Sequence, residues 1–155
     1  MKYRMYSLVL RQLNPIQKGV QTTHAAIEYA NTYFKTAEYQ SWSNFDKTLI
    51  MLDGGTYQEM MKIFETLETS RCKYQFFEEE DLNNMVTALV FIADERVWDK
   101  ATYPDFDPDY AEPYLEVDDK GNVIMLNPYD KWLEKIGGKQ NEILREIISN
   151  KRLAN

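Results

Sequence analysis

The chain has 155 residues, of which 44% are hydrophobic and 14% aromatic, and its formal net charge is −7. This length and composition predict one globular domain and exclude a disordered chain. The single cysteine, Cys72, excludes an internal disulfide and a cysteine-rich metal site, and suits a reducing cytoplasm. No apolar run approaches the roughly 20 residues that span a bilayer, so we expect no membrane segment.

The first predicted elements are a strand over residues 3–12 and a helix that begins after Asn14 and Pro15. Asparagine accepts hydrogen bonds from the free amides of a helix start, and proline fits the first helical position. An apolar stripe at helical spacing predicts the face buried against a sheet: Ile16, Val20, Thr23, Ile27, Ala30 and Phe34. A polar stripe beside it, at the border with solvent, consists of Gln17, Gln21, His24 and Glu28.

Three further strands are predicted over residues 46–52, 73–77 and 86–93. Residues 53–55 read as a turn into a helix capped by Thr56. Strands that alternate with helices through short connections indicate an α/β protein with a layered sheet.

The last part of the chain has a different pattern, which predicts an irregular connection, a hairpin and two helices, over residues 103–114, 114–126, 128–136 and 141–150. We therefore divide the chain into an α/β core, residues 1–98, and a C-terminal extension, residues 99–155, that packs on the core.

The pattern Gln21-x-x-His24-Ala25-Ala26, on a helix that follows an apolar strand, resembles the type 2 peptidyl-tRNA hydrolases. The order of elements over roughly the first 95 residues is similar to theirs. The resemblance implies a mixed sheet of about four strands with helices on both faces. It also implies hydrolysis of the ester at the tRNA 3′ end without a cofactor, and a homodimer. The candidates for the dimer contact are the aromatic segments at residues 39–42 and 103–106. Small acidic proteins with this pattern resemble phage-encoded relatives of the hydrolase.

The position of the lysine differs from the family pattern. The family's catalytic lysine precedes the histidine by seven residues, which is Gln17 here, and Lys18 lies one position later, turned by about 100° on an ideal helix. Two alternatives stay open: an irregular first turn brings Lys18 into the site, or the site has lost its cation. We expect Lys18 to be at least partly exposed.

An acidic run, residues 78–81, follows the third predicted strand. The resemblance implies an aspartate and hydroxyl partners there, facing the lysine-bearing helix; Asp81 or Glu80 would supply the carboxylate and Asn84 would replace the hydroxyl. The alternative is a solvated turn or the cap of a short helix. In an active enzyme, Lys18 would stabilise the oxyanion and Asp81 would orient or activate water. The supporting polar groups would be Gln17, Gln21, His24, Glu80 and Asn84.

A binding module of the same fold, without catalysis, is the competing hypothesis. It would contact a host protein or a small ligand, and His24 would then be a structural hydrogen-bonding group. One histidine and one cysteine leave only carboxylate metal sites, and no EF-hand spacing is present, so we expect no metal. The basic residues proposed to meet tRNA phosphates are Lys18, Lys35, Lys47 and Arg71.

Overall fold

A four-stranded mixed sheet forms the centre of the computed structural model, which describes residues 1–110, 114–117 and 119–154. The strand order is β2-β1-β4-β3; β1 and β2 are parallel, and the other two pairs are antiparallel. The strands are β1 (Tyr3–Leu10), β2 (Leu49–Gly55), β3 (Tyr74–Glu79) and β4 (Met85–Asp94). The predicted α/β class and mixed sheet are therefore confirmed.

Six α-helices accompany the sheet in the described part of the chain: α1 (Pro15–Tyr33), α2 (Ala37–Ser41), α3 (Tyr57–Ser70), α4 (Glu95–Trp98), α5 (Pro128–Ile136) and α6 (Lys139–Ser149). A π-helical turn, Trp42–Asp46, follows α2, and 3-10 turns lie at Glu80–Leu82 and Pro108–Tyr110.

The alternation of side chains along β1 supplies two hydrophobic cores. Tyr6, Leu8 and Leu10 pack on one side of the sheet with residues of α3 and α6. Met5 and Val9 pack on the opposite side with residues of α1. Both faces of the sheet are thus covered by helices, as expected for a strand that is apolar on both sides.

The start of α1 agrees with its prediction. The Asn14 side chain accepts a hydrogen bond from the Gln17 amide at 2.9 Å, and the Gln17 side chain accepts one from the Asn14 amide at 3.1 Å. This reciprocal capping box, with Pro15 in the first helical position, satisfies the free amides of the helix start.

The predicted orientation of α1 is wrong. Ile16, Val20 and Ile27 are 80%, 44% and 51% exposed, and Phe34 is exposed as well. The buried residues are Lys18, Gln21, Thr22, Ala25 and Tyr29. The hydropathy pattern predicts the wrong face because the sheet offers hydrogen-bonding partners to α1. The helix therefore buries polar side chains against the sheet.

Two predictions at strand ends also need correction. Residues 53–55 are not a turn but the end of β2, and Thr56 caps α3 directly after them. Glu78 and Glu79 belong to β3 rather than to the turn that follows it. In both places the polar or glycine residues are held in the sheet by pairing with a neighbouring strand.

The C-terminal extension contains the predicted hairpin and helices. Its hairpin is β5 (Tyr114–Val117) paired with β6 (Val123–Leu126), and α6 packs on α3 and α4. Residues 111–113 of the predicted irregular connection lie outside the described residues. After α6 the chain returns to the outer edge of β2, where the Asp53 amide donates to the Arg152 carbonyl at 2.9 Å. We call residues 152–154 the C-terminal tail.

Candidate functional site

The parallel strands β1 and β2 end side by side, and α1 and α3 begin close to these ends. Val9 pairs with Asp53 and Leu10 with Gly55, with a register irregularity between the two pairs. The carboxyl ends of parallel strands are where α/β proteins place their sites, because the following loops and helix starts converge there. Charged side chains gather at this edge of the sheet.

Asp53 is the buried carboxylate of this edge, with a side chain 7% exposed. It accepts hydrogen bonds from Arg11 Nε at 2.9 Å, from Arg152 Nε at 3.0 Å and from the Gly55 amide at 2.8 Å. Burial raises the pKa of Asp53, but the hydrogen bonds from Arg11, the Gly55 amide and Arg152 lower it more, so the pKa lies below its usual value. The carboxylate is therefore ionised at neutral pH.

Two small cavities border this carboxylate. One, of about 140 Å³, is lined by Arg11, Lys18, Asp53, Arg152 and Leu153. The other, of about 210 Å³, is lined by Arg11, Asp53, Glu59, Asn150, Lys151 and Arg152. Together their linings hold four basic and two acidic side chains. In a chain of net charge −7 this is a local positive region, and such a region suits an anion. We call it the basic edge.

Lys18 lies at the junction between the basic edge and the inner face of α1. Its side chain lines the first cavity while the residue is only 7% exposed. The expectation that Lys18 is at least partly exposed is therefore wrong, and its role as the cation of the site stays a prediction. The helix needs no irregular turn, because its inner face is the one that carries Lys18 and Gln21, three residues apart.

A row of hydrogen bonds joins the inner face of α1 to the sheet. Gln21 Nε2 donates to Glu79 Oε2 at 2.5 Å, and Gln21 Oε1 accepts from the Thr87 hydroxyl at 3.1 Å. The Thr87 hydroxyl also lies 3.2 Å from the Phe77 carbonyl oxygen. Glu79 follows a β-bulge between Phe77 and Glu78, a feature that often re-aims side chains near sites. Gln21, Glu79 and Thr87 form what we call the amide network.

His24 lies one turn further along α1 and is half-buried. Its ring packs on Phe77, with ring centroids 4.4 Å apart and planes at 52°. Its Nδ1 is buried and makes no hydrogen bond to any residue that the structure describes. His24 thus contributes aromatic packing beside the amide network.

The acidic turn lies apart from these groups. Glu80, Asp81 and Asn84 are exposed, and within the described ranges their side chains make no hydrogen bond or ion pair. Asp81 and Lys18 do not form an ion pair with each other. The predicted catalytic roles of these residues stay predictions, but the carboxylate that reaches α1 is that of Glu79. Gln17 is exposed and serves the capping box.

Several residues of the site were missed in the sequence: Arg11, Asp53, Glu79, Thr87 and Arg152. A buried strand that ends in an acidic residue before two glycines was a usable signal for Asp53. No local signal existed for Arg152, which meets Asp53 across 99 positions of sequence.

Models of known protein families give no match to this chain, and no curated protein sequence is significantly similar to it. Among the described residues, no group of three or more histidine, cysteine or acidic side chains is arranged to hold a metal ion. No helix in the described ranges is long and apolar enough to cross a membrane.

Proposed function

We propose that this protein hydrolyses an ester at the 3′ end of a tRNA, as its resemblance to the type 2 peptidyl-tRNA hydrolases implies. The observation that carries the proposal is the inner face of α1, where Lys18 and Gln21 are both buried. The Gln21 side chain is hydrogen-bonded to a carboxylate and to a hydroxyl. The resemblance implies such a lysine, carboxylate and hydroxyl facing one another. Glu79 and Thr87 supply the last two.

In this mechanism a water oxygen attacks the ester carbonyl carbon and forms a tetrahedral oxyanion. The Lys18 ammonium stabilises the negative charge that develops on the carbonyl oxygen. A carboxylate accepts the proton of the attacking water, and we assign this role to Glu79 because it is the carboxylate that contacts α1. The bond to the ribose oxygen then breaks, that oxygen takes a proton, and the products are a carboxylic acid and a free 3′ hydroxyl.

The basic edge supports an RNA substrate despite the acidic chain. It offers Arg11, Lys151 and Arg152 to phosphate oxygens, next to the cavity that Lys18 lines. Of the residues predicted to meet phosphates, only Lys18 lies there. Because contacts between these cations and phosphates release bound counterions, binding should weaken as salt is added.

The test is to incubate the purified protein with a peptidyl-tRNA mimic and measure release of the free tRNA end. We expect Lys18→Gln and Glu79→Gln each to lower turnover by about 10²–10³, the usual loss for one group that stabilises a transition state. Asp81→Asn tests which of the two carboxylates, Glu79 or Asp81, acts as the base. Lys35→Gln, at an exposed position just after α1, is the matched control for Lys18. Wild-type protein that releases no tRNA, or a fully active Lys18→Gln variant with a native melting temperature, would overturn the proposal.

A binding module without catalysis is the second candidate, and the β5–β6 hairpin favours it. Leu115 pairs with Met125 and Val117 with Val123, and these four side chains are 63–71% exposed. A two-stranded hairpin is only marginally stable alone, and exposed apolar patches often mark protein-binding surfaces. In a pull-down, a partner retained by wild type and lost with Val117→Lys and Met125→Lys would support this function.

The homodimer stays a prediction. Of the aromatic segments proposed for that contact, Tyr39 and Trp42 pack against the core with Tyr29, and Phe106 packs on Tyr129 and Trp132. A dimer would therefore use other apolar side chains, and the hairpin brings four exposed ones together. Light scattering at micromolar concentration measures the mass, and a monomeric value would remove the dimer.

A further inference from the structure

The C-terminal extension contains a larger cavity, of about 390 Å³, between α5, α6 and the connection that precedes β5. Three aromatic rings form one of its walls. The Tyr129 and Trp132 rings are stacked, with centroids 5.7 Å apart and planes at 29°, and Phe106 lies within 6 Å of both. All three residues are half-buried, so this aromatic wall offers ring surface to a ligand.

The wall is held in place by hydrogen bonds at its edges. Trp132 Nε1 donates to the Pro104 carbonyl at 2.9 Å, and the Tyr129 hydroxyl donates to Glu142 at 2.6 Å. Arg145, only 2% exposed, donates to the Arg96 and Tyr103 carbonyls and so fixes the connection against α6. The polar atoms of the wall are thus hydrogen-bonded within the protein. The interaction that the wall can still offer a ligand is stacking on its ring faces.

Three carboxylates line this cavity, and two of them form ion pairs within the described residues. Asp105 is paired with Arg145 and Lys100, and Glu142 is paired with Lys139. Glu146 lines the same cavity, is exposed, and has no hydrogen bond or ion pair among the residues described. An aromatic wall beside an unpaired carboxylate suits a flat, uncharged ring that carries an amino group, because the carboxylate accepts its N–H.

This cavity adjoins the basic edge at the end of α6. Asn150 lines both, Glu146 and Ser149 precede it on the aromatic side, and Lys151 and Arg152 follow it on the basic side. One short stretch of chain therefore separates a stacking surface from a cluster of cations. A nucleotide has the same two parts, a flat base and a phosphate, joined by a sugar.

We propose that the chain binds a nucleotide whose base carries an exocyclic amino group, with the base on the aromatic wall and the phosphate at the basic edge. Glu146 accepts from the amino group, and Lys151 and Arg152 bind the phosphate. The site differs from the amide network in location and involves the C-terminal extension. Its ligand is a free nucleotide or the terminal nucleotide of an RNA, which share this chemistry.

The test is a set of calorimetric titrations without any ester, so the result is independent of hydrolysis. The probes are AMP, IMP (which has an oxygen in place of the amino group), adenosine and inorganic phosphate. We expect wild-type protein to bind AMP about tenfold more tightly than IMP, because the hydrogen bond to a charged acceptor is lost. We also expect AMP to bind about tenfold more tightly than adenosine, with a difference that shrinks as salt is added.

Two variants separate the two parts of the site. Glu146→Gln should abolish the preference for AMP over IMP, and Arg152→Gln should weaken AMP about tenfold while adenosine is unaffected. Glu134→Gln and Lys135→Gln, both exposed on α5, are the matched controls. None of these substitutions lies in the aromatic wall. Because Arg152→Gln removes one partner of the buried Asp53 carboxylate, the melting temperature of each variant is measured beside its affinity.

The proposal is overturned if wild-type protein binds no AMP at about millimolar concentration, if AMP and IMP bind equally, or if neither variant changes affinity. A trinucleotide that ends in adenosine identifies the source of the ligand. Tighter binding than AMP assigns the site to an RNA end, and equal binding assigns it to a free nucleotide.

Discussion

At the scale of single residues, Asp53 links stability to pH. Its pKa is lower in the folded state than in the unfolded chain, so its contribution is complete above the unfolded pKa, about 3.9, and is lost as pH falls through the folded pKa. We expect Asp53→Asn to lower the free energy of unfolding by about 1–3 kcal/mol at pH 7. Urea unfolding between pH 7 and 3 checks this.

The difference between wild type and Asp53→Asn should therefore shrink as pH falls below about 4, because the carboxylate then binds a proton more readily in the unfolded chain than in the folded protein. Parallel stability curves over the whole range would contradict the role of this group. The comparison isolates Asp53, because other acidic residues with lowered pKa values, such as Asp105, are present in both proteins.

Thr87 is the most deeply buried member of the amide network, with no exposed surface. Thr87→Val keeps the volume of the side chain and removes the hydroxyl between Gln21 and Phe77. We expect a loss of about 1–3 kcal/mol of unfolding free energy, since buried acceptors are left without a donor. Thr66→Val, on the exposed face of α3, should change stability by less than about 0.5 kcal/mol. Equal effects of the two substitutions would show that the network contributes nothing.

At the scale of elements, the orientation of α1 is tested by two side chains on opposite faces. Ala25 is fully buried, and Ala25→Leu should destabilise by about 1–3 kcal/mol because the packed face has no space for it. Ile27 is 51% exposed, and Ile27→Gln should change the unfolding free energy by less than about 0.5 kcal/mol. Denaturant titration measures both, and the reverse order of effects would restore the orientation predicted from hydropathy.

Two glycines show how the same substitution has opposite effects in different elements. A methyl group at Gly19, in α1, meets no atom within 4 Å, and Gly19→Ala should stabilise by about 0.5–1 kcal/mol. A methyl group at Gly54, at the end of β2, would lie 2.9 Å from the Val9 carbonyl oxygen and also contact Met60. Gly54→Ala should destabilise by about 1–3 kcal/mol, as overpacking does. Thermal unfolding measures the stability of both variants. A stabilised Gly54→Ala protein would show that the Val9 carbonyl oxygen and Met60 do not approach Gly54 this closely.

Elements with one dominant signal were predictable from the sequence. The apolar alternation of β1, the Asn14-Pro15 helix start and the Gly137-Gly138 helix end each have a local physical cause, and all three are present. The face of α1 was not predictable, because a buried glutamine is favourable only if a partner exists across the interface. Those partners, Glu79 and Thr87, come from strands more than 55 positions away.

The candidate site, like the fold, was predictable only where its residues lie on a single element. Lys18, Gln21 and His24 lie on one helix, so their proximity follows from helical geometry. The contacts of Asp53 with Arg11 and Arg152 depend on strand order and on the return of the chain to β2, which no local pattern encodes. The acidic run was noticed, but a bulge and two extra residues of strand decide that Glu79 meets α1.

At the scale of the whole molecule, the C-terminal tail connects the extension to the core. Its main chain pairs with β2 through two hydrogen bonds, Asp53 to Arg152 at 2.9 Å and Ala154 to Met51 at 3.0 Å. We expect a protein that ends at Lys151 to lose about 1–3 kcal/mol of stability, since these bonds and the Arg152–Asp53 pair disappear. Amide hydrogen exchange should show faster exchange at Asp53 and no change in β4. Unchanged protection of the Asp53 amide would contradict the pairing.

The same tail has a consequence for the order of events during synthesis. A ribosome adds about 5–20 residues per second, and the sheet and α1 can form as soon as residues 1–94 have emerged. Arg152 reaches Asp53 only after nearly all of the described chain has been translated. Among the features described above, the basic edge is therefore assembled after the sheet, and a nascent chain that has already folded its sheet does not yet hold the full set of cations at Asp53.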